Sequence, residues 1–254
     1  MNPIVVVFVT AVGSSGLVAA CRNHDTKPAA PPASGDPSST PASASDLASA
    51  NRAEPPRDAG ERFVAHDFES DHAGAPPAGF SFARTGGGLE GTWLVKTDLG
   101  APSGANVLAQ TNADETDSRF AIAVAETPIL ADVDLRVKCK PVSGKIDRAC
   151  GIVFRYRDAS TYYVARANAL EGNVRLYYVK EGRRHELASH SGKVTSGAWH
   201  DLGAVVRGDH IEIHWDGARV LDQHDATFAG AGRVGVWTKA DSVTYFDDLS
   251  ATAL

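Results

Sequence analysis

Apolar residues recur at every second position in several stretches of this chain, and this spacing restricts the fold more than any other feature. In Asp132–Lys138 aliphatic residues occupy positions 133, 135 and 137, and charged residues occupy the even positions. The same alternation runs through His210–Trp215. A period of two is typical of a strand with one buried face, whereas a helix would space its apolar residues by three and four. We therefore expect strands rather than helices.

Turn residues interrupt the apolar stretches about every 8–12 residues, as they do between antiparallel strands. The clearest turn signals are Glu171-Gly172-Asn173, Glu181-Gly182, Gly208-Asp209 and Asp216-Gly217. Together they predict about fourteen short strands. The expected fold is all-β, a two-sheet antiparallel jelly-roll sandwich. A closed barrel fits less well, because several strands are apolar on one face only.

The charge balance argues against one class of partner. The chain carries 25 basic and 31 acidic residues, for a net charge of -6. Binding to a nucleic-acid backbone depends on a summed positive field, which this composition does not supply. We expect no nucleic-acid partner.

The first 21 residues resemble the signal peptide of a bacterial lipoprotein. An apolar stretch ends in Leu17-Val18-Ala19-Ala20-Cys21, which resembles a lipobox. The resemblance implies cleavage before Cys21 and a lipid on that cysteine, which would anchor the chain to a membrane in the periplasm or at the outer membrane. The leader departs from export signals in having no Lys or Arg near its start. An uncleaved anchor or a secretory signal cut near Ala20 are the alternatives, and each places the rest of the chain outside the cytoplasm.

Composition divides the remaining chain into a tether and a folded domain. Residues 22–60 contain seven of the thirteen prolines and no aromatic residue. Such a segment cannot bury enough apolar surface to fold, so it predicts a disordered tether. Residues 61–254 contain eighteen of the nineteen aromatic residues and form the expected jelly-roll domain.

Two cysteines remain if Cys21 is lipidated, and an even number in an oxidising compartment favours a disulfide. Cys139 and Cys150 lie at the inner ends of what we interpret as consecutive strands, 132–140 and 150–156. A hairpin of these two strands would place the cysteines opposite each other. Two free buried thiols are the alternative.

Several short motifs of the folded domain follow a familiar order. They are Gly151–Asp158, Tyr162–Glu171, Ala198-Trp199-His200, Trp215-Asp216-Gly217, Val234–Val243 and Phe246–Leu249. In order and spacing they are similar to the concanavalin A-like jelly rolls, in particular the 3-keto-disaccharide hydrolase domain, formerly a domain of unknown function. The resemblance covers residues 63–254. It implies the fold and a sugar ligand but not an activity, because lectins, glucanases and adhesion modules share this fold.

The first candidate site is a polar sheet face on the strands that carry the resemblance. Alternation along these strands predicts a shared face that binds a glycan or a modified glycoside. Its candidate residues are Arg155, Arg166, Asn168, Trp237, Lys239 and Asp241. Planar donors suit sugar hydroxyls, a Trp ring stacks on pyranose C–H groups, and Asp241 would supply an acceptor or a general base. The alternative is a solvated face with Trp237 in the core.

Two further groups suit metal ions. His210, Glu212, His214 and Asp216 share one strand face and suit a transition metal or acid-base chemistry, or form a solvated outer face. Asp67 and Glu69 on one face of the first strand, with Asp247 or Asp248 in the last, would suit a structural calcium ion if the terminal strands pair. A solvated acidic edge is the alternative there.

Three functions remain open at this point. The first is a membrane-tethered carbohydrate-binding domain. The second is a hydrolase of modified glycosides, although neither the Glu-x-Asp-x-x-Glu nor the Glu-x-Asp-x-Glu strand of family 16 glucanases is present. The third is a structural or protein-interaction module.

Overall fold

The computed structural model describes residues 63–254, and these form fifteen strands and no helix. The predicted signal peptide, Cys21 and the predicted tether lie outside the described residues. Among those described, no helix is long and apolar enough to cross a membrane.

The strands form two antiparallel sheets that face each other, so the expected all-β sandwich is confirmed. The eight-stranded sheet has the order β13-β12-β11-β6-β15-β4-β3, with β1 paired to β15. Its strands are β1 (Phe63–His66), β3 (Trp93–Thr97), β4 (Asn106–Gln110), β6 (Val133–Ser143), β11 (His200–Arg207), β12 (His210–Trp215), β13 (Ala218–His224) and β15 (Val243–Ala253).

The seven-stranded sheet has the order β10-β9-β8-β7-β14-β5-β2. Its strands are β2 (Phe80–Thr85), β5 (Phe120–Ala125), β7 (Ala149–Asp158), β8 (Thr161–Asn168), β9 (Asn173–Lys180), β10 (Arg183–Ser191) and β14 (Arg233–Lys239).

The main core lies between the sheets and follows the predicted alternation. Val133, Leu135 and Val137 of β6 point into it, while the charged residues between them stay partly exposed. β12 behaves in the same way, with Ile211 and Ile213 buried. Period-two sequences form these strands because each buries one face against the opposite sheet.

The seven-stranded sheet is also apolar on its outer face. All six residues of β5 are buried, and a second cluster there includes Phe120, Tyr162, Tyr177 and Trp237. Side chains on both faces of the central strands are therefore removed from water, which explains their near-continuous apolar sequences.

This second cluster is covered because the sheet curls over it. The hydroxyl of Tyr162 in β8 lies 2.8 Å from Thr85 Oγ1 in β2, although three other strands separate β8 from β2 in the sheet. In a flat sheet neighbouring strands lie about 4.7–4.9 Å apart, so two strands separated by three others would be too far apart for this hydrogen bond. The Arg184 guanidinium lies across the same face, 4.4 Å from the Tyr177 ring centre and 5.0 Å from that of Phe120. The outer face of the seven-stranded sheet is therefore concave.

The predicted disulfide between Cys139 and Cys150 is present, with 6.2 Å between the Cα atoms. The predicted hairpin is wrong. β6 pairs with β11 and β15 in one sheet, while β7 pairs with β8 and β14 in the other. Both cysteines are fully buried in the main core. The disulfide therefore joins the two sheets.

Candidate functional site

The structure brings three of the six predicted ligand residues together at one end of the concave face. Arg166 and Asn168 point outward from β8, and Lys239 points outward from β14. Asp147, Glu171 and Asn173 join them from the adjoining loops and from the start of β9. We call these six residues the end cluster.

Glu171 is the acceptor around which half of the end cluster is arranged. Its carboxylate accepts hydrogen bonds from Arg166 Nη2 at 2.9 Å, Asn173 Nδ2 at 3.1 Å and Asn168 Nδ2 at 3.2 Å. Partial burial would raise its pKa, but the Asn173 hydrogen bond and the Arg166 charge outweigh it, so the pKa lies below its ordinary value. Glu171 is therefore an anion at neutral pH.

Asp147 and Lys239 form the other half. Lys239 Nζ lies 3.0 Å from Asp147 Oδ2 and also donates to Asp117. Burial raises the pKa of Asp147, although the Lys239 charge opposes this. Burial would lower the pKa of Lys239, but the Asp117 hydrogen bond and the Asp147 charge outweigh it and raise that pKa. Asn168 Nδ2 connects the two halves, because it also donates to Asp147 Oδ1 at 2.9 Å.

Three buried donors on the concave face have no hydrogen-bond partner within the described residues. They are Arg166 Nε, Arg184 Nη1 and Trp237 Nε1. The two guanidiniums lie near the same ring, because Arg166 and Arg184 are 5.9 Å and 4.4 Å from the Tyr177 centre. The Tyr162 hydroxyl lies near the indole N–H but not in hydrogen-bonding geometry. A buried donor without a partner costs about 1–3 kcal/mol. Because these three atoms are closed to solvent, they mark a polar interior beneath the concave face rather than groups that a ligand touches directly.

The end cluster reaches solvent through Glu171 and its neighbour Arg175. Their side chains are 39% and 32% exposed, and Arg175 Nη2 lies 3.6 Å from Glu171 Oε2. The cluster therefore combines buried, fixed donors with an accessible carboxylate and guanidinium.

The remaining predicted ligand residues have other surroundings. Arg155 lies in a bulge of β7 with φ +47°, and its guanidinium donates to the carbonyl oxygens of Ala131, Phe228 and Gly208, away from the end cluster. Trp237 is fully buried, and its ring stacks on Phe120 with 5.3 Å between centres, so its face is not an open platform for a sugar.

Asp241 is also a structural residue in this arrangement. Its carboxylate accepts hydrogen bonds from the backbone N–H groups of Lys145, Ile146 and Asp147 and so fixes the β6–β7 loop that carries Asp147. Burial would raise its pKa, but these backbone donors outweigh it and lower the pKa. Asp241 positions the end cluster rather than serving as a free base.

The predicted calcium ligands lie along different segments from those expected, because β1 ends at His66 and Asp67 and Glu69 follow it rather than lie on it. β1 does pair with β15 as expected, but Asp67, Glu69 and Asp247 form no common group of ligand atoms within the described residues. Glu69 Oε1 accepts from the N–H groups of Ala105 and Asn106, and buried Asp247 accepts from Ser103. These carboxylates fix the β3–β4 loop instead.

The outer face of the eight-stranded sheet differs from the concave face because it is partly exposed and polar. His210, Glu212 and His214 lie there as predicted, but Asp216 turns away and bonds His200 Nδ1 at 2.9 Å. A groove of about 330 Å³ crosses this face. The polar residues that line it are Arg136, Lys138, Asp201, His214, Asp248 and Ser250.

Sequence reasoning missed Asp147, Glu171 and Asn173. Glu171 and Asn173 were interpreted only as hairpin turn residues, and a register that pairs Asn168 with Asn173 is needed to bring them beside Arg166. Asp147 lies in a loop with no pattern around it. A fold would have to be assumed before these residues became candidates.

Comparison with solved structures supports the same fold. The chain is similar to the carbohydrate-binding module CBM66 from Bacillus subtilis, with a TM-score of 0.55 and 18% identity over 68% of this chain and 95% of that chain. It is also similar to the cellulose-induced protein Cip1, with a TM-score of 0.52 and 16% identity over 75% of this chain and 98% of that one.

A further similar structure is the VIP36 exoplasmic/lumenal domain in its Ca²⁺/Man-bound form, with a TM-score of 0.49 and 12% identity over 75% and 88% of the two chains. No family model and no curated protein matches the chain. With its two antiparallel sheets and its likeness to CBM66, the described domain is a two-sheet antiparallel jelly-roll sandwich.

Proposed function

We propose that this domain binds a carbohydrate at the end cluster. The observation that carries the proposal is the partly exposed pair of Glu171 and Arg175, which lies at the solvent edge of the fixed donors Arg166 and Asn173. Sugar hydroxyls accept and donate hydrogen bonds at short spacing, which suits donors next to a carboxylate. The fold likeness to a carbohydrate-binding module supports this proposal.

The end cluster is organised before any ligand arrives. Arg166 is held by Asn173, Glu171 and Tyr177, and Asn168 is held by Asp147 and by the N–H of Leu170. Side chains fixed in this way lose little conformational entropy on binding, which favours affinity for a small polar ligand. We expect a short saccharide or a terminal sugar unit.

A glycan array with the full chain, followed by calorimetric titration of the best sugar, tests the proposal. Glu171→Gln and Arg175→Ala should each weaken binding at least about ten-fold, because each removes a charged hydrogen-bonding group that ligands can reach. Arg136→Ala is the matched control, since Arg136 is similarly exposed on the other sheet. Sugar binding that all three variants retain would refute the site, and the absence of any sugar ligand would favour a structural or protein-interaction module.

Hydrolysis of a glycoside is the second candidate, in line with the resemblance to 3-keto-disaccharide hydrolases. Asp147 Oδ1 and Glu171 Oε1 accept from the same nitrogen, Asn168 Nδ2, at 2.9 Å and 3.2 Å. Two oxygens that share one donor are near enough for the spacing of about 5–5.5 Å between the carboxyls of a retaining pair. The pKa values of Asp147 and Glu171 are shifted in opposite directions, as in acid and base partners. Binding remains the better-supported function, because Asp147 is only 1% exposed and is held by Lys239.

Release of sugar from disaccharides and their 3-keto derivatives tests this candidate. Asp147→Asn should abolish turnover and leave sugar binding within about three-fold if Asp147 is the proton donor. Turnover that survives in both Asp147→Asn and Glu171→Gln would exclude the pair.

We also propose that the domain is displayed outside the cytoplasm on a lipid attached to Cys21, with residues 22–60 as its tether. The lipobox-like sequence and the disulfide support this, because disulfides persist in oxidising compartments. Metabolic labelling with a palmitate analogue should label the full chain but not Cys21→Ala. Equal labelling of both, or a purely cytoplasmic chain, would contradict the anchor.

A further inference from the structure

The β12–β13 hairpin forms the outer edge of the eight-stranded sheet, and its exposed face carries the imidazoles of His210, His214 and His224 and the carboxylates of Glu212 and Asp222. His210 lies directly opposite His224, and Glu212 lies directly opposite Asp222. Residues opposite each other in antiparallel strands share a face, so these four side chains occupy neighbouring rungs. This placement depends on the register of β13, which the sequence of β12 alone does not reveal.

The ligand atoms of this group already lie close together. One nitrogen of His210 and one oxygen each from Glu212 and Asp222 are all within 4.8 Å of one another. His210 Nε2 is 2.7 Å from Asp222 Oδ1 and 4.0 Å from Glu212 Oε1. Ligands bonded to one Zn²⁺ at about 2.0–2.2 Å cannot be more than about 4.4 Å apart. Small side-chain rotations would satisfy this limit.

A cationic atom already occupies the centre of the group. Arg219 Nη1 lies 2.6 Å from Glu212 Oε1 and 2.7 Å from Asp222 Oδ2, so a single nitrogen bridges the two opposing carboxylates. Carboxylates directly opposite each other repel, and a shared cation relieves this repulsion. Arg219 is 51% exposed. Its guanidinium is therefore free to move into solvent when another cation takes its place.

The surrounding charges favour a cation at this point. Arg219 Nη1 donates to Glu212 Oε1 at 2.6 Å, and His210 Nε2 lies 2.7 Å from Asp222 Oδ1, so each carboxylate already has a basic group beside it. His214 Nε2 lies 3.5 Å from Glu212 Oε2, and His224 stacks on His210 with 4.7 Å between ring centres. Asp209 lies next to His224, at 3.2 Å from its Nδ1.

We propose that this face binds a divalent transition-metal ion of the Zn²⁺ class through His210, Glu212 and Asp222, with water in the fourth position and Arg219 displaced. Imidazole with carboxylate suits zinc, whereas calcium prefers a set of oxygens only. Because the ligands come from both strands, the ion would fasten the edge hairpin and stabilise the folded state by linkage.

Calorimetric titration of the full chain with ZnCl₂ at pH 7.5 tests the proposal, with thermal unfolding as a second readout. We expect one ion per chain at this face, with a rise in Tm that excess CaCl₂ does not reproduce. His210→Ala and Glu212→Gln should each weaken zinc binding at least ten-fold. Arg219→Ala should strengthen it several-fold, because it removes the competing cation.

His190→Ala is the matched control, since His190 is exposed on β10 of the other sheet. Zinc binding that is unchanged in His210→Ala and Glu212→Gln would overturn the proposal, and so would weaker binding in Arg219→Ala.

Discussion

The disulfide between the two sheets should make the largest single-bond contribution to the stability of this domain. Cys139 and Cys150 are separated by 11 positions in the sequence. The chain-entropy model gives about 3 kcal/mol at 25 °C for a closed loop of this size. For a domain of this size, that loss corresponds to a fall in Tm of about 6–12 °C.

Urea unfolding of the full chain under oxidising conditions measures this contribution. Cys139→Ala combined with Cys150→Ala should lower the free energy of unfolding by about 3 kcal/mol, and wild type treated with a reductant should behave like the double variant. Cys21→Ser is the control and should leave stability unchanged. A difference of less than about 1 kcal/mol between oxidised wild type and the double variant would refute the reasoning.

Three further predictions concern buried polar groups and close packing. Arg155→Met should lower the free energy of unfolding by about 3–5 kcal/mol, because three carbonyl oxygens lose their donor, and chemical denaturation measures this loss. Gly235→Ala should lower the free energy of unfolding by more than about 3 kcal/mol, because the added Cβ would lie 2.2 Å from the backbone oxygen of Ala123. Gly100→Ala is the control, since its added Cβ would make only ordinary contacts and should change the unfolding midpoint little. The pKa of Asp241 is lower in the folded state than its ordinary value of 3.8, so its contribution to stability is complete above pH 3.8 and is lost as the pH falls through the folded pKa. Asp241→Asn should therefore make the free energy of unfolding fall less steeply with acidification. An unchanged acid dependence would contradict this.

Local periodicity was sufficient to predict an all-strand domain and, for β6 and β12, which side of the strand is buried. β6 and β12 follow their alternation residue by residue, because one face of each packs on the opposite sheet. The turn signals were equally direct, because Gly182 and Gly217 both adopt a positive φ, a backbone conformation that glycine tolerates best. Strand periodicity and turns depend on residues that are neighbours along the chain, so they can be predicted from the sequence.

The pairing of the strands could not be predicted from local periodicity. β6 and β7 are consecutive and were expected to form a hairpin, but each finds its partners elsewhere. The energy of pairing depends on contacts between residues distant along the chain, which no local pattern specifies. The cysteine pair was predicted correctly despite this error, because the number of cysteines and the expected oxidising compartment favoured it without any knowledge of the topology.

Only part of the candidate site was predicted, because the rest depends on contacts between residues distant along the chain. Arg166, Asn168 and Lys239 follow from alternation along strands that the resemblance had marked. Asp147 belongs to the candidate site only because Asp241 holds the β6–β7 loop in place. Arg155 lies away from the site because a bulge with positive φ redirects its side chain. Curling of the seven-stranded sheet then buries Trp237, which a flat sheet would expose.

The sequence by itself therefore determined that residues 63–254 form mostly strands, that Cys139 and Cys150 are the candidates for a disulfide, and that Arg166, Asn168 and Lys239 lie on the same side of their strands. Only the tertiary structure decided which sheet each strand joins, which polar groups converge at the end cluster and which cross-strand partners complete the His210 group. The reason is physical: burial of one strand face is encoded every second residue, whereas curvature, register and convergence arise from contacts between segments far apart in the chain.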